Sequence, residues 1–122
     1  MRYFENDIFP VALVVSTDAE SVDKEYYNAY AGEEEHVVLK PTSQATTMFL
    51  SRRAEYRAMA VGILFNKVPT TRIITHESFH AARMMLDVGL HIPLIDDNEE
   101  VYAYVAGWIA DCVEKYFKEL NN

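Results

Sequence analysis

The chain has 122 residues, half of them hydrophobic and a quarter charged, the balance of a single globular domain with one core rather than of a disordered protein. Its 19 acidic residues outweigh 11 basic ones for a net charge of −8. The only short basic pair is Arg52–Arg53, so the clustered cations of a nucleic-acid binder are missing. No apolar run approaches the ~20 residues of a membrane span, and the opening "MRYFENDIFPVALVV" lacks the form of a secretory signal. Cys112 is the only cysteine, which excludes an internal disulfide and leaves it as a small core side chain. A cytoplasmic protein is expected, with no membrane or nucleic-acid partner.

Taken in chain order, residues 8–16, "IFPVALVVS", are β-branched and apolar and read as a buried strand. Asp18 caps a helix expected over 18–31, in which Val22, Tyr26 and Tyr30 recur every four residues. Gly32 and Pro41 break that pattern into a loop with a short strand at 36–40, and the acids Glu33 to Glu35 read as a solvated surface. "TTMFLSR" and "YRAMAVGILFN" follow as two adjacent strands, the second more central because Val61 to Phe65 are almost all apolar. Thr70 or Thr71 caps a helix expected to run to Val88, with Gly89 as its left-handed stop. After the loop "LHIPLIDDN", a last helix extends from about Asn98 to Leu120. Gly107 within it, beside the small Ala103 and Ala106, points to close approach of another element. Strand, helix, several strands and two long helices make an α+β pattern in one domain, 1–122.

The stretch "TTRIITHESFHAARMMLDVG" carries the chemistry. Two histidines at i and i+4 on a helix project from one face about one turn apart, the spacing at which neutral imidazoles share a zinc ion. A glutamate beside the first histidine can take a proton from a water that the ion polarises. His76 and His80 are the candidate metal ligands and Glu77 the candidate general base. The surrounding residues 73–88 are so apolar that this helix is expected to be buried. Buried imidazoles and a carboxylate need partners. A metal would satisfy all three, whereas without one they would have to bond backbone or each other.

A catalytic zinc takes a third protein ligand and keeps one position open. His91, Glu99 and Glu100 are the candidates downstream. Glu100 is favoured, because a turn after the first helix could bring the start of the last helix back to the ion. Against it, Asp97 and Glu100 have the spacing of a capping box, and Glu100 shares a helical side with Asp111, Glu114 and Lys118. A third histidine six residues after the second is excluded by Leu86.

"THESFHA" followed by a helix, an acid-bearing turn and "EEVYAYVAGWI" resembles the zincin metallopeptidases, in the gluzincin-type arrangement of HExxH with a downstream glutamate. The stretch is also similar to SprT-type zincins, and most similar to small phage-encoded proteins carrying HESxHA … ExxAYxxGWI. The resemblance covers residues 70–110. It implies a zincin-like fold, a small mixed or antiparallel sheet packed on the HExxH helix and a C-terminal helix. It also implies a zinc ion on His76, His80 and Glu100, with Glu77 as general base. Gluzincins commonly place an acid four residues after the third ligand to orient the first histidine, and here that place is Tyr104. An extended peptide or protein substrate would lie along a strand edge within 46–66, with Tyr56, Tyr102 or Tyr104 as possible donors to an oxyanion. The function expected is a zinc-dependent metallopeptidase. The alternative is a non-catalytic zinc-binding module that meets a partner protein.

Overall fold

The computed structural model describes residues 1–29, 34–54 and 59–121. Tyr30, Gly32, Glu33 and Tyr56, each given a place in the expectations above, lie outside them. Among the described residues the fold is α+β, with a five-stranded mixed sheet and three α-helices. The strands are β1 (Arg2–Glu5), β2 (Ala12–Ser16), β3 (Tyr26–Asn28), β4 (Ala45–Arg52) and β5 (Met59–Phe65), in the spatial order β1-β2-β5-β4-β3. Only β2 and β5 are parallel. They are also the most apolar strands, as their central places require, because both of their faces are covered.

Strand alternation divides the core in two. Leu13, Val15, Val61, Ile63 and Phe65 face the helices α2 (Thr71–Arg83) and α3 (Glu99–Leu120). Val14, Met48, Leu50 and Leu64 face α1 (Ala19–Glu25) and Val37 on the opposite side. Gly62 lies on that second face, where a Cβ would come within 2.5 Å of the Leu50 side chain. An alanine there would force the buried Leu50 side chain to shift. No helix among the described residues is long and apolar enough to cross a membrane.

Asp18 caps α1 as expected, its carboxylate accepting from the Glu20 amide at 3.0 Å. The helix nevertheless stops at Glu25, and Tyr26, placed in the helical repeat by its spacing, belongs to β3. Pairing with β4 and full burial of the Tyr26 ring outweigh the local periodicity. The strand expected at 36–40 is not formed. In its place one bridge joins Asn28 and Glu35, and Val37 plugs the core from an irregular segment. The N-terminal strand β1 had no counterpart in the sequence reading, since Arg2 to Glu5 alternate too briefly to signal a strand.

That irregular segment is held by Asp23. Its carboxylate accepts from the Val37 amide at 2.8 Å and from Arg53 Nη2 at 2.9 Å, and lies 3.0 Å from His36 Nδ1. Arg53 also stacks on the Tyr27 ring at 3.8 Å. The Val37 amide, followed by the His36 and Arg53 hydrogen bonds, holds the Asp23 carboxyl below its usual value. A lowered carboxylate pKa gives stability that is complete above the ordinary carboxylate range and lost as pH falls through the folded-state value. Asp23→Asn is therefore expected to cost about 1 kcal/mol near neutral pH, allowing for solvent screening, and almost nothing in strong acid. Urea denaturation of both proteins across that range checks it.

α2 and α3 form an antiparallel hairpin on one face of the sheet. At one end Tyr102 Oη donates to the Ile92 carbonyl at 2.8 Å. At the other, Phe117 meets Phe65 edge-on with ring centroids 5.2 Å apart. Tyr116 Oη accepts from the Thr17 amide at 3.2 Å, and Arg2 pairs with Glu119. Cys112 is buried in this layer, which pushes its thiol up to about 11 and makes it a core group. The close approach expected at Gly107 is absent among the described residues: Gly107 is exposed, and no atom of another element lies within 4 Å of where its Cβ would be. Gly107→Ala should consequently raise stability by about 1 kcal/mol through helix propensity, read as a higher melting temperature.

Candidate metal centre

α2 begins where expected, with Thr70 Oγ1 accepting from the Ile73 amide at 3.4 Å. Its far end differs from the sequence reading. The helix widens into a π-helical turn over Met84–Gly89, and Gly89 is not left-handed. The left-handed residue is His91, with φ 58°, whose amide bonds the Asp87 carbonyl while that of Ile92 bonds Leu86. The inserted turn shifts the stop two residues on and gives His91 a backbone role.

Nor is α2 buried on every side. Ser78, Ala81, Ala82 and Met85 face the sheet and α3, whereas His76, Phe79 and His80 are exposed. No layer covers the outer face of α2 among the described residues, so its apolar stripe is wider than its buried one. Ser78 Oγ, turned inward, is buried without a hydrogen-bond partner among the described residues.

His76 and His80 project together, as their spacing requires. Their Nε2 atoms are 3.2 Å apart and the rings meet edge-on at 76°. Two nitrogens bound tetrahedrally at 2.0–2.1 Å lie about 3.3 Å apart, so the pair has the bite of a metal chelate. Glu77 points inward beside them, 6% exposed, with its Oε2 4.0 Å from His76 Nε2. Its carboxylate has no hydrogen bond among the described residues, the condition of a group positioned for a cation or a water. The ligand atoms of these three residues fall within 4.8 Å of one another, a group that could hold a metal ion. Neither histidine Nδ1 has a hydrogen-bond partner among the described residues, the support a ligand imidazole ordinarily receives.

Glu100 is not part of that group, and neither are Glu99 or His91. All three are exposed. The reason is the hairpin. The short connection places the first turn of α3 beside the end of α2, where Tyr102 reaches Ile92. Glu100 therefore sits near the level of Gly89, on the order of 15–20 Å along the helix axis from His76. The capping box with Asp97 is also absent, since Asn98 is the N-cap and makes no side-chain cap bond. Of the tyrosines considered for an oxyanion, Tyr102 is committed to Ile92, and Tyr104 is exposed outside the cleft lining.

The histidines line a cleft of about 650 Å³ between α2 and the start of β4. Its far wall is a strand edge. β3 covers only the second half of β4, the pairing ending at Asn28–Leu50 with a last bond from the Ala29 amide to Phe49. Gln44 bonds toward the β5 side, so by alternation Ala45 and Thr47 turn their amides and carbonyls outward, unpaired among the described residues. Thr47 Oγ1 reaches the Glu77 carbonyl at 3.4 Å and ties this wall to the helix. Asn66 bonds the Lys40 and Ser43 carbonyls through its side chain and fixes the approach to β4. The sequence reading missed Thr47, Asn66 and Arg72, which also lines the cleft. Only the helical position of Arg72, one turn before His76, could have marked it. Comparison with protein-family models, curated proteins and solved structures finds no match.

Proposed function

We propose that this chain is a zinc-dependent metallopeptidase of zincin-like type. The observation that supports it best is the gathering of His76, Glu77 and His80 within 4.8 Å on the wall of a cleft that faces a strand edge unpaired among the described residues. His76 and His80 would hold the ion. When bound, zinc supplies a Lewis acid for the scissile carbonyl and a lowered pKa for water. Glu77 takes the proton from the attacking water and returns it to the leaving amine. Ala45 and Thr47 hold an extended peptide by strand addition, which carries to this edge the role that the resemblance assigns within 46–66.

The experiment is zinc content after equilibration and dialysis, for wild type, His76→Ala, His80→Ala and Glu100→Ala. One zinc per chain in wild type, lost with either histidine and kept in Glu100→Ala, is the expected result. No zinc in wild type would overturn the reading, and loss in Glu100→Ala would restore the glutamate as a ligand.

A second reading, a zinc-binding module that meets a partner protein without chemistry, has one observation in its favour. Among the described residues the gathered groups stop at three, and neither imidazole is oriented through its Nδ1. In that case Glu77→Gln changes no rate, because there is none to change.

A further inference from the structure

We infer that the groove selects an extended peptide with an acidic side chain about three residues C-terminal to the metal site and apolar side chains on its N-terminal side. This deepens the metallopeptidase reading and rests on it only for the position of the reacting bond.

Arg72, His76, His80, Met84 and Val88 follow one another at intervals of four and share one face of α2 and its π-helical extension. All five line connected clefts. The one at Ser43–Thr47 takes in Arg72, and a second of about 490 Å³ along Thr46–Phe49 takes in Val88, with His80 and Met84 common to both. The groove thus changes character along its length, cationic at one end and apolar at the other, with the histidines between. Arg72 has neither ion pair nor hydrogen bond among the described residues, whereas Arg83 at the apolar end is engaged by Asp87 at 3.7 Å. In a chain of net charge −8, a guanidinium unpaired among the described residues on the wall of the candidate site is local charge complementarity for an anion. Arg72 offers a planar fork suited to a carboxylate.

Direction follows from the sheet. β4 runs from Ala45, beside Arg72 and His76, to Phe49, beside Met84. β3 already pairs antiparallel on this edge, and antiparallel addition is the more stable kind. A peptide added in line with it pairs with Ala45 and Thr47, because Ala29 already holds the Phe49 carbonyl; its C-terminal half runs toward Arg72, and its N-terminal residues leave the strand edge toward Met84 and Val88. Arg72 lies six residues from the midpoint of the histidines, about 9 Å along the helix, which an extended peptide covers in roughly three residues.

The test is fluorescence anisotropy of zinc-equilibrated protein with two labelled octapeptides of identical composition. One carries its leucine and valine N-terminal and its glutamate C-terminal to a central Ala-Ala, and the other has the reverse order. Wild type is expected to bind the first at least 10-fold more tightly. Arg72→Glu should abolish that preference and restore it for the peptide with lysine in place of glutamate. Arg72 is exposed and an acid in the first turn suits a helix N-terminus, so the variant keeps its fold. Equal binding of both orders, no binding of either, or an Arg72→Glu protein that keeps the preference for glutamate would each overturn the inference. Because the readout is binding, preference without cleavage leaves the groove assignment standing and removes the peptidase. Cleavage without preference does the reverse.

Discussion

Glu77→Gln is expected to retain the bound metal of wild type and to lower peptide hydrolysis by about 10²–10⁴-fold, the range over which a positioned general base contributes. Glutamine keeps the shape and a hydrogen-bonding oxygen but cannot accept the proton. The residue is 6% exposed and its carboxylate makes no hydrogen bond among the described residues, so little else depends on it. His80→Ala should remove metal and activity together, because the 3.2 Å pair is reduced to one imidazole. Zinc content and hydrolysis of an unstructured protein, measured on the same preparations, separate the two effects. A Glu77→Gln protein as active as wild type would end the catalytic reading while leaving the metal site in place.

Phe65→Ala should have the largest effect on folding, about 3–5 kcal/mol. The ring is fully buried at the end of β5 and packs edge-on against Phe117 of α3. Deleting it leaves a cavity where sheet and both long helices meet, and a domain of this kind has only about 5–15 kcal/mol in total. Phe65 also immediately precedes Asn66 and the turn that launches α2, so metal affinity should weaken with stability. Phe117→Ala removes the same contact from a site near the helix end, and the double variant should cost less than the sum of the two. Urea unfolding followed by circular dichroism measures all three. A loss below about 1 kcal/mol for Phe65→Ala would mean that this junction does not hold the hairpin on the sheet.

The elements legible in the sequence are those whose signals are local. Asp18 and Thr70 cap helices because a side-chain oxygen within three residues suffices. β2 and β5 declare themselves by apolar runs that only a doubly covered strand needs. His76 and His80 meet because a helix repeats every 3.6 residues, whatever surrounds it. That histidine pair, Glu77 beside it, and the α+β class follow from the sequence by itself.

Tertiary structure alone decided the rest. Tyr26 leaves a helical repeat for β3 because a distant strand, β4, offers it pairing and burial. The π-helical turn moves the left-handed stop from Gly89 to His91. Glu100, at a suitable interval from His80 in the chain, is carried to the far end of α2 by an antiparallel hairpin whose direction no interval encodes. The cleft wall of Ala45 and Thr47 is open among the described residues because β3 pairs only with Leu50–Arg52 of β4. Apart from the π-helical turn, whose recorded hydrogen bonds are local, these outcomes were set by contacts between residues far apart in sequence, where burial and pairing exceed the few tenths of a kcal/mol that separate local preferences.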